Sequence, residues 1–181
     1  MVRSPDVLEA QLLRLPPADR ARLAELLLTS LDEGEEPGAE AAWAEEAERR
    51  LADLRAGTVA GIPAADVFAR AAARLGAEVG PGVPARLEFH PEAAAEFDAA
   101  LRYYGDRREG LAASFLAAVR TTTDLAAASP AAGHAFTANA RRLLVPGFPY
   151  AVIYAATADA VFVLAVAHTR RRPGYWRGRG R

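Results

Sequence analysis

The chain contains no cysteine and no lysine, a single methionine, and three histidines set far apart. The missing cysteines exclude disulfides, a thiol nucleophile and thiolate metal sites, and His90, His134 and His168 alone do not suggest a dedicated metal site. Neither a metal nor any other cofactor is expected. No apolar run approaches the roughly 20 residues that cross a bilayer, so no membrane contact is expected. The opening stretch MVRSPDVLEAQLLRL is broken by acids and arginines and lacks the apolar core of a signal peptide. A soluble, cytoplasmic protein is the expectation. All 22 strongly basic residues are arginine, which with the alanine excess reflects a GC-rich coding bias and weakens any argument from arginine alone.

What is present is a chain of 181 residues, 51% of them hydrophobic, long enough to bury a core in one ordinary domain or two small ones. Its formal charge of −1 is unevenly shared. Residues 1–80 carry nine arginines against fifteen acids, net −6, and residues 81–181 carry thirteen arginines against eight acids, net +5. The last fifteen residues, AHTRRRPGYWRGRGR, hold six arginines and no acid. Such asymmetry suggests two modules that neutralise each other, or a basic module made for an acidic partner.

GAEVGPGVPAR, Gly76 to Arg86, places three glycines and two prolines in eleven residues and breaks both helix and strand. It divides the chain into a helical module at 1–75, a linker at 76–84 and a second domain at 85–181. In the first module Leu23, Leu26, Leu27 and Leu31 mark one helical face, and Trp43, Ala47, Leu51 and Leu54 mark a second that Gly57 ends. A third helix follows Pro63 with Val67, Phe68, Ala71 and Leu75 as its stripe. Three or four short helices make a poor core of their own, so this module is expected to dock on something.

After the linker, Leu87 and Phe89 alternate as a short strand. Pro91 opens a helix with Ala94, Phe97, Leu101 and Tyr104 on one face, and a second helix carries Leu111, Phe115, Val119 and Leu125 as far as Ser129-Pro130. Three strands follow at Ala140–Val145, Tyr150–Ala156 and Val161–His168. The order β-α-α-β-β-β defines an α+β domain, an αα-hairpin packed on an antiparallel sheet. The last strand is apolar at nearly every position, as expected of a strand buried on both faces.

The stretches LEFHPEAAAEFDAALRYY, RRLLVPGFPYAVIY and LAVAHTRRRPGYW at these separations resemble the RelE/ParE family of type II toxins, over about residues 85–177. PPADRARLAELLLTSL, AAWAEEAERRLADLRAGTVAGIP and ADVFARAAARL are similar to the addiction-module antitoxins encoded beside such toxins, over about residues 8–75. Unlike the usual pair, both lie in one chain. Val79 or Val83 could instead mark an internal start of a separate toxin.

The resemblance implies one of two activities. A RelE-like member cuts messenger RNA on the ribosome, which needs a base for the 2′-hydroxyl, cations for the developing phosphorane charge and an acid for the 5′-oxygen. His168 and Tyr175 are the catalytic candidates under that reading, and Arg141, Arg142, Arg170, Arg171 and Arg172 are candidates to hold phosphate or target. A ParE-like member blocks DNA gyrase by binding, without catalytic residues. The absence of lysine and the HxRRxPxYW pattern lean towards the ParE type. His168 equally fits packing at a strand end or capping a turn, and Tyr175 and Trp176 equally fit folding back over the sheet. Arg141 and Arg142 point to opposite faces of their strand.

An antitoxin of this class wraps its last helix and a neighbouring extended segment over its toxin. Thr58–Ile62 is then expected along a sheet edge, with Ile62, Val67, Phe68, Ala71 and Leu75 as the contact residues and Phe68 as the anchor. The alternative is that Phe68 and Leu75 complete the helical module internally. An eleven-residue linker spans at most about 35 Å, and short linkers give effective concentrations of order millimolar, so a contact in cis would be nearly saturated. Two chains exchanging these segments would give a homo-oligomer. Operator DNA binding has thin support, because the net charge of −6 works against phosphate contacts. The fusion could also be an inactive or regulatory relic.

Overall fold

The computed structural model describes residues 5–16, 19–20, 23, 27, 36–76, 87–108, 110–157 and 159–178. The expected face through Leu26 and Leu31, the linker from residue 77 onward with Val79 and Val83, and the last three residues of the arginine tail lie outside them. The elements in chain order are α1 (Pro5–Leu12), α2 (Ala39–Ala56), β1 (Ile62–Pro63), α3 (Ala64–Arg74), β2 (Leu87–Phe89), α4 (Pro91–Gly105), α5 (Leu111–Ala128), β3 (His134–Ala135), β4 (Arg141–Leu144), β5 (Tyr150–Ala156) and β6 (Val161–His168). A 3₁₀ turn at Tyr175–Gly178 follows.

The strands form one sheet in the order β1-β2-β6-β5-β4-β3. The β2–β6 pair is parallel and the others are antiparallel. β6 therefore lies inside the sheet and is buried from Val163 to His168, as its unbroken apolar run requires. Between β5 and β6 the register slips: Ile153 faces Ala165, Tyr154 faces Val163, and Leu164 is left as the extra residue of a β-bulge. One unexpected strand is β3, two exposed residues paired to β4, too short to leave a periodic signal.

On one face of the sheet α4 and α5 pack an aromatic core, with Phe97 5.9 Å from Phe115 and Tyr104 5.1 Å from Phe115 between ring centroids. The buried stripe of α5 runs Phe115, Val119, Thr122, Ala126. Leu125, expected on this stripe, is 46% exposed. At 3.6 residues per turn, positions 122 and 126 continue the line from 115 and 119, and position 125 rotates away from it.

The N-terminal segment straddles this sheet. α2 lays Trp43, Ala47 and Leu51 on the opposite face, against Ile153, Ala155, Leu164 and Ala165. Gly57 ends α2 in the left-handed region, φ 70°, where its N–H and that of Thr58 reach the carbonyls of Leu54 and Asp53. The chain then passes the sheet edge at Gly61, whose missing Cβ would lie 2.0 Å from Glu88 Oε2. Of the edge segment expected over Thr58–Ile62 only Ile62 pairs: residues 58–61 are not strand, and β1 is Ile62 opposite Phe89 and Pro63 opposite Glu88. Pro63 is compatible with this position because β1 is an edge. α3 returns on the hairpin face, where Phe68 packs edge-on to Phe89 at 5.7 Å and to Phe97 at 5.8 Å. Phe68 thus belongs to the core of the second domain rather than to a helical module of its own.

Candidate functional site

β6 delivers His168 and the turn Thr169–Gly174 to the sheet margin, where α2 and the residues before it meet them. His168 is fully buried. Its Nδ1 accepts a hydrogen bond from the backbone N–H of Arg170 at 3.1 Å, and its ring lies edge-on to Tyr150 at 4.9 Å and to Tyr175 at 5.6 Å. The Tyr150 and Tyr175 hydroxyls are 2.9 Å apart. His168 caps the turn, and Tyr175 folds back over it.

The segment from Glu36 reads this turn by its backbone. The N–H of Glu36 donates to the carbonyl of Arg170 at 2.8 Å. The Glu36 carboxylate accepts from the N–H of Arg172 at 2.8 Å and from Arg171 Nη1 at 3.3 Å. These partners, chiefly the Arg172 N–H and then Arg171, hold the Glu36 carboxyl below the usual range. Trp43 Nε1 donates to the carbonyl of Arg171 at 2.7 Å. The side chains of Arg170 and Arg172 stay exposed.

The two arginines of β4 diverge. Arg141 donates from Nη1 to the carbonyl of Gly133 at 2.7 Å. Arg142 reaches Glu40 at 3.4 Å on the α2 side and lies over the Phe136 ring at 4.9 Å. Glu48 of α2 accepts from the Thr137 hydroxyl and from Asn139, and these bonds lower its pKa. The two predicted arginines of β4 therefore reach different partners. The five predicted contact residues do converge: Val67, Phe68 and Ala71 lie in the hairpin-side core, with Ile62 and Leu75 packed against it.

Residues 87–173 match the family model described as ParE toxin of type II toxin-antitoxin system, parDE. The second half of this chain is a ParE toxin domain. Residues 14–67 match the model described as "Putative addiction module component". The chain is a type II toxin-antitoxin protein, with the addiction-module segment preceding the toxin. No curated protein and no solved structure matches it. α2 and β1 belong to the addiction-module match, and the sheet from β2 onward, with the arginine turn, belongs to the ParE domain.

Between the two matched regions lies a polar cluster that the sequence did not announce. Arg50 of α2 is 1% exposed, as is Glu96 of α4. Arg50 donates from Nη2 to Glu96 at 2.6 Å and to Glu92 at 3.1 Å, from Nη1 to the carbonyl of Leu164 at 2.7 Å, and from Nε to Glu46 at 2.7 Å. The other Glu96 oxygen accepts the N–H of Val166 at 3.1 Å. Burial pushes the Glu96 carboxyl up to about 7 against the pull of Arg50. Burial also opposes the charge of Arg50, but Glu96 and Glu46 more than offset it and hold the guanidinium protonated. Glu92 also reaches Arg177 of the tail at 3.0 Å. The signal that could have found Glu96 is its place among Ala93, Phe97 and Ala100 on the apolar face of α4; a carboxylate there needs a counter-charge.

Among the described residues no group of three or more His, Cys, Asp or Glu could hold a metal ion, and no helix is long and apolar enough to cross a membrane.

Proposed function

We propose that this chain is a ParE-type growth inhibitor restrained in cis by its own addiction-module segment, a guard, with DNA gyrase as the target of the released domain. The observation that carries the reading is the path of residues 36–76. They cover the open sheet face with α2, add β1 to the edge and fill the hairpin-side groove with α3. They also engage the backbone of the arginine turn from Arg170 to Arg172. A target that bound the sheet face or this turn would have to displace them.

The gyrase assignment rests on the ParE family match and on the state of His168. A general base needs hydrogen-bond reach to the proton it takes. The His168 ring is buried, with Nδ1 already engaged by Arg170. Tyr175 is likewise occupied by Tyr150. This arrangement suits a binding inhibitor better than the RelE-like nuclease.

The test is growth. Inducing residues 81–181 alone should lower viable counts, and inducing the full chain at matched expression should not. Phe68→Glu in the full chain places a charge against Phe89 and Phe97 and should make that chain inhibitory too. Equal counts for fragment and full chain would sink the restraint, and a harmless Phe68→Glu chain would remove α3 from it. Loss of supercoiling by purified gyrase supports the target, whereas messenger RNA cleavage in a translating extract replaces it with the nuclease.

A further inference from the structure

The ParE domain presents a set of acceptors that a guanidinium occupies. Glu96 is buried and cannot turn away, because its second oxygen is held by the N–H of Val166 at 3.1 Å. Leu164, the extra residue of the bulge, has no cross-strand partner in the β5–β6 register, and its carbonyl accepts from Arg50 at 2.7 Å. β2 cannot cover this stretch of β6. Its pairing ends with Phe89 opposite Val163, and the chain then turns at His90 into α4. Glu92, one helical turn before Glu96, adds a third acceptor at 3.1 Å. They take three hydrogen bonds from two nitrogens of one planar cation, Nη1 and Nη2 of Arg50, a fork whose donors point in fixed directions where those of an ammonium rotate about one point charge.

We propose that Glu96, Glu92 and the carbonyl of Leu164 form a guanidinium socket of the ParE domain, and that Arg50 is the arginine by which the guard is matched to this domain. The proposal deepens the cis-restraint reading and rests on it for the role of the match, while the socket itself is read from folding alone. Arg50 comes from the addiction-module match, and all three socket acceptors come from the ParE match. The Trp43 ring closes the guard side, 5.8 Å from the guanidinium carbon. A guard without the guanidinium at this position would leave Glu96 with only the Val166 N–H on one oxygen and no counter-charge on the other. The socket therefore discriminates among guards by penalising the wrong ones.

The experiment uses the full chain at pH 8, with Arg50→Ala and Arg50→Lys, and reads the melting temperature. Arg50→Ala should melt about 10 °C below the parent. Ethylguanidinium supplies the atoms that this substitution removes. At about 10 mM, a concentration set by the millimolar affinities expected of so small a ligand, it should restore at least half of the loss, saturably. Ethylammonium and sodium chloride at equal ionic strength should restore none. Arg50→Lys should lose nearly as much as Arg50→Ala. The proposal is overturned if Arg50→Ala melts like the parent, or if ethylammonium rescues as well as ethylguanidinium. If Arg50→Ala does not accumulate in soluble form, Arg50→Lys decides alone: parent-like melting overturns the socket, and a matching loss supports it. A harmless 81–181 fragment would remove the restraint reading and leave this melting result untouched.

Discussion

At the scale of single residues, the carboxylates that join the two halves of the chain respond to pH in opposite directions. Glu36 and Glu48 are held below their ordinary value of 4.5 by hydrogen bonds across the seam. Their contribution is present above that value and is lost as pH falls through their lowered folded values. Glu96 is raised to about 7, so its contribution is complete below 4.5 and is lost as pH rises towards 7. A melting profile of the full chain should therefore decline on both limbs. Glu36→Gln with Glu48→Gln should flatten the acid limb, and Glu96→Gln should flatten the limb between 4.5 and 7. A profile that keeps both slopes in all variants would contradict this assignment. None of these partners was legible in the sequence. Arg50 and Glu96 are 46 positions apart, and a charge on an amphipathic helix ordinarily reads as a solvated face. Phe68 was legible, because a single aromatic on a narrow helical stripe has few other places to go.

At the scale of elements, the periodicities carried most of the architecture. α2, α3, α4 and α5 lie where their apolar spacing and flanking glycines and prolines put them, and β6 is interior as its composition requires. The bulge at Leu164 and the two-residue strands β1 and β3 were not legible as such, because neither a one-residue slip nor a two-residue pairing has a period. β1 depends on Gly61 more than on its own residues. A Cβ there meets the Glu88 carboxylate and, at 3.1 Å, the Glu88 Cβ. Gly61→Ala should therefore loosen the β1–β2 pair, at about 1–3 kcal/mol for forcing an extra methyl into a packed contact. Hydrogen exchange is the check: amides near residues 59–63 should lose protection while those of β5 and β6 keep theirs. Unchanged protection at the edge would show that Glu88 simply swings aside.

At the scale of the whole molecule, the excess of acid in the first half and of arginine in the second was legible as mutual neutralisation, but its geometry was not. Only part of the arginine turn is met by acidic side chains; much of the contact is made to the turn's backbone by Glu36 and Trp43. High salt should then weaken the seam less than the net charges suggest, since buried and backbone bonds are poorly screened.

The passage of the guard around the sheet edge at Gly57–Gly61 has a kinetic consequence. α2 and α3 grip opposite faces and are tied by the seven residues 57–63, so when either lets go, the other keeps it within rebinding distance. The two grips multiply rather than add. A single peptide-bond cut in this short bridge touches neither grip yet would turn one two-handed hold into two one-handed ones, leaving α2 free to depart while α3 stays joined to the ParE domain by the chain that follows it. An engineered protease site between Gly57 and Gly61 would measure this. Cutting there should release α2 many times faster than cutting after Gly76, where both hands stay joined, and equal rates after the two cuts would show that one grip alone does the holding.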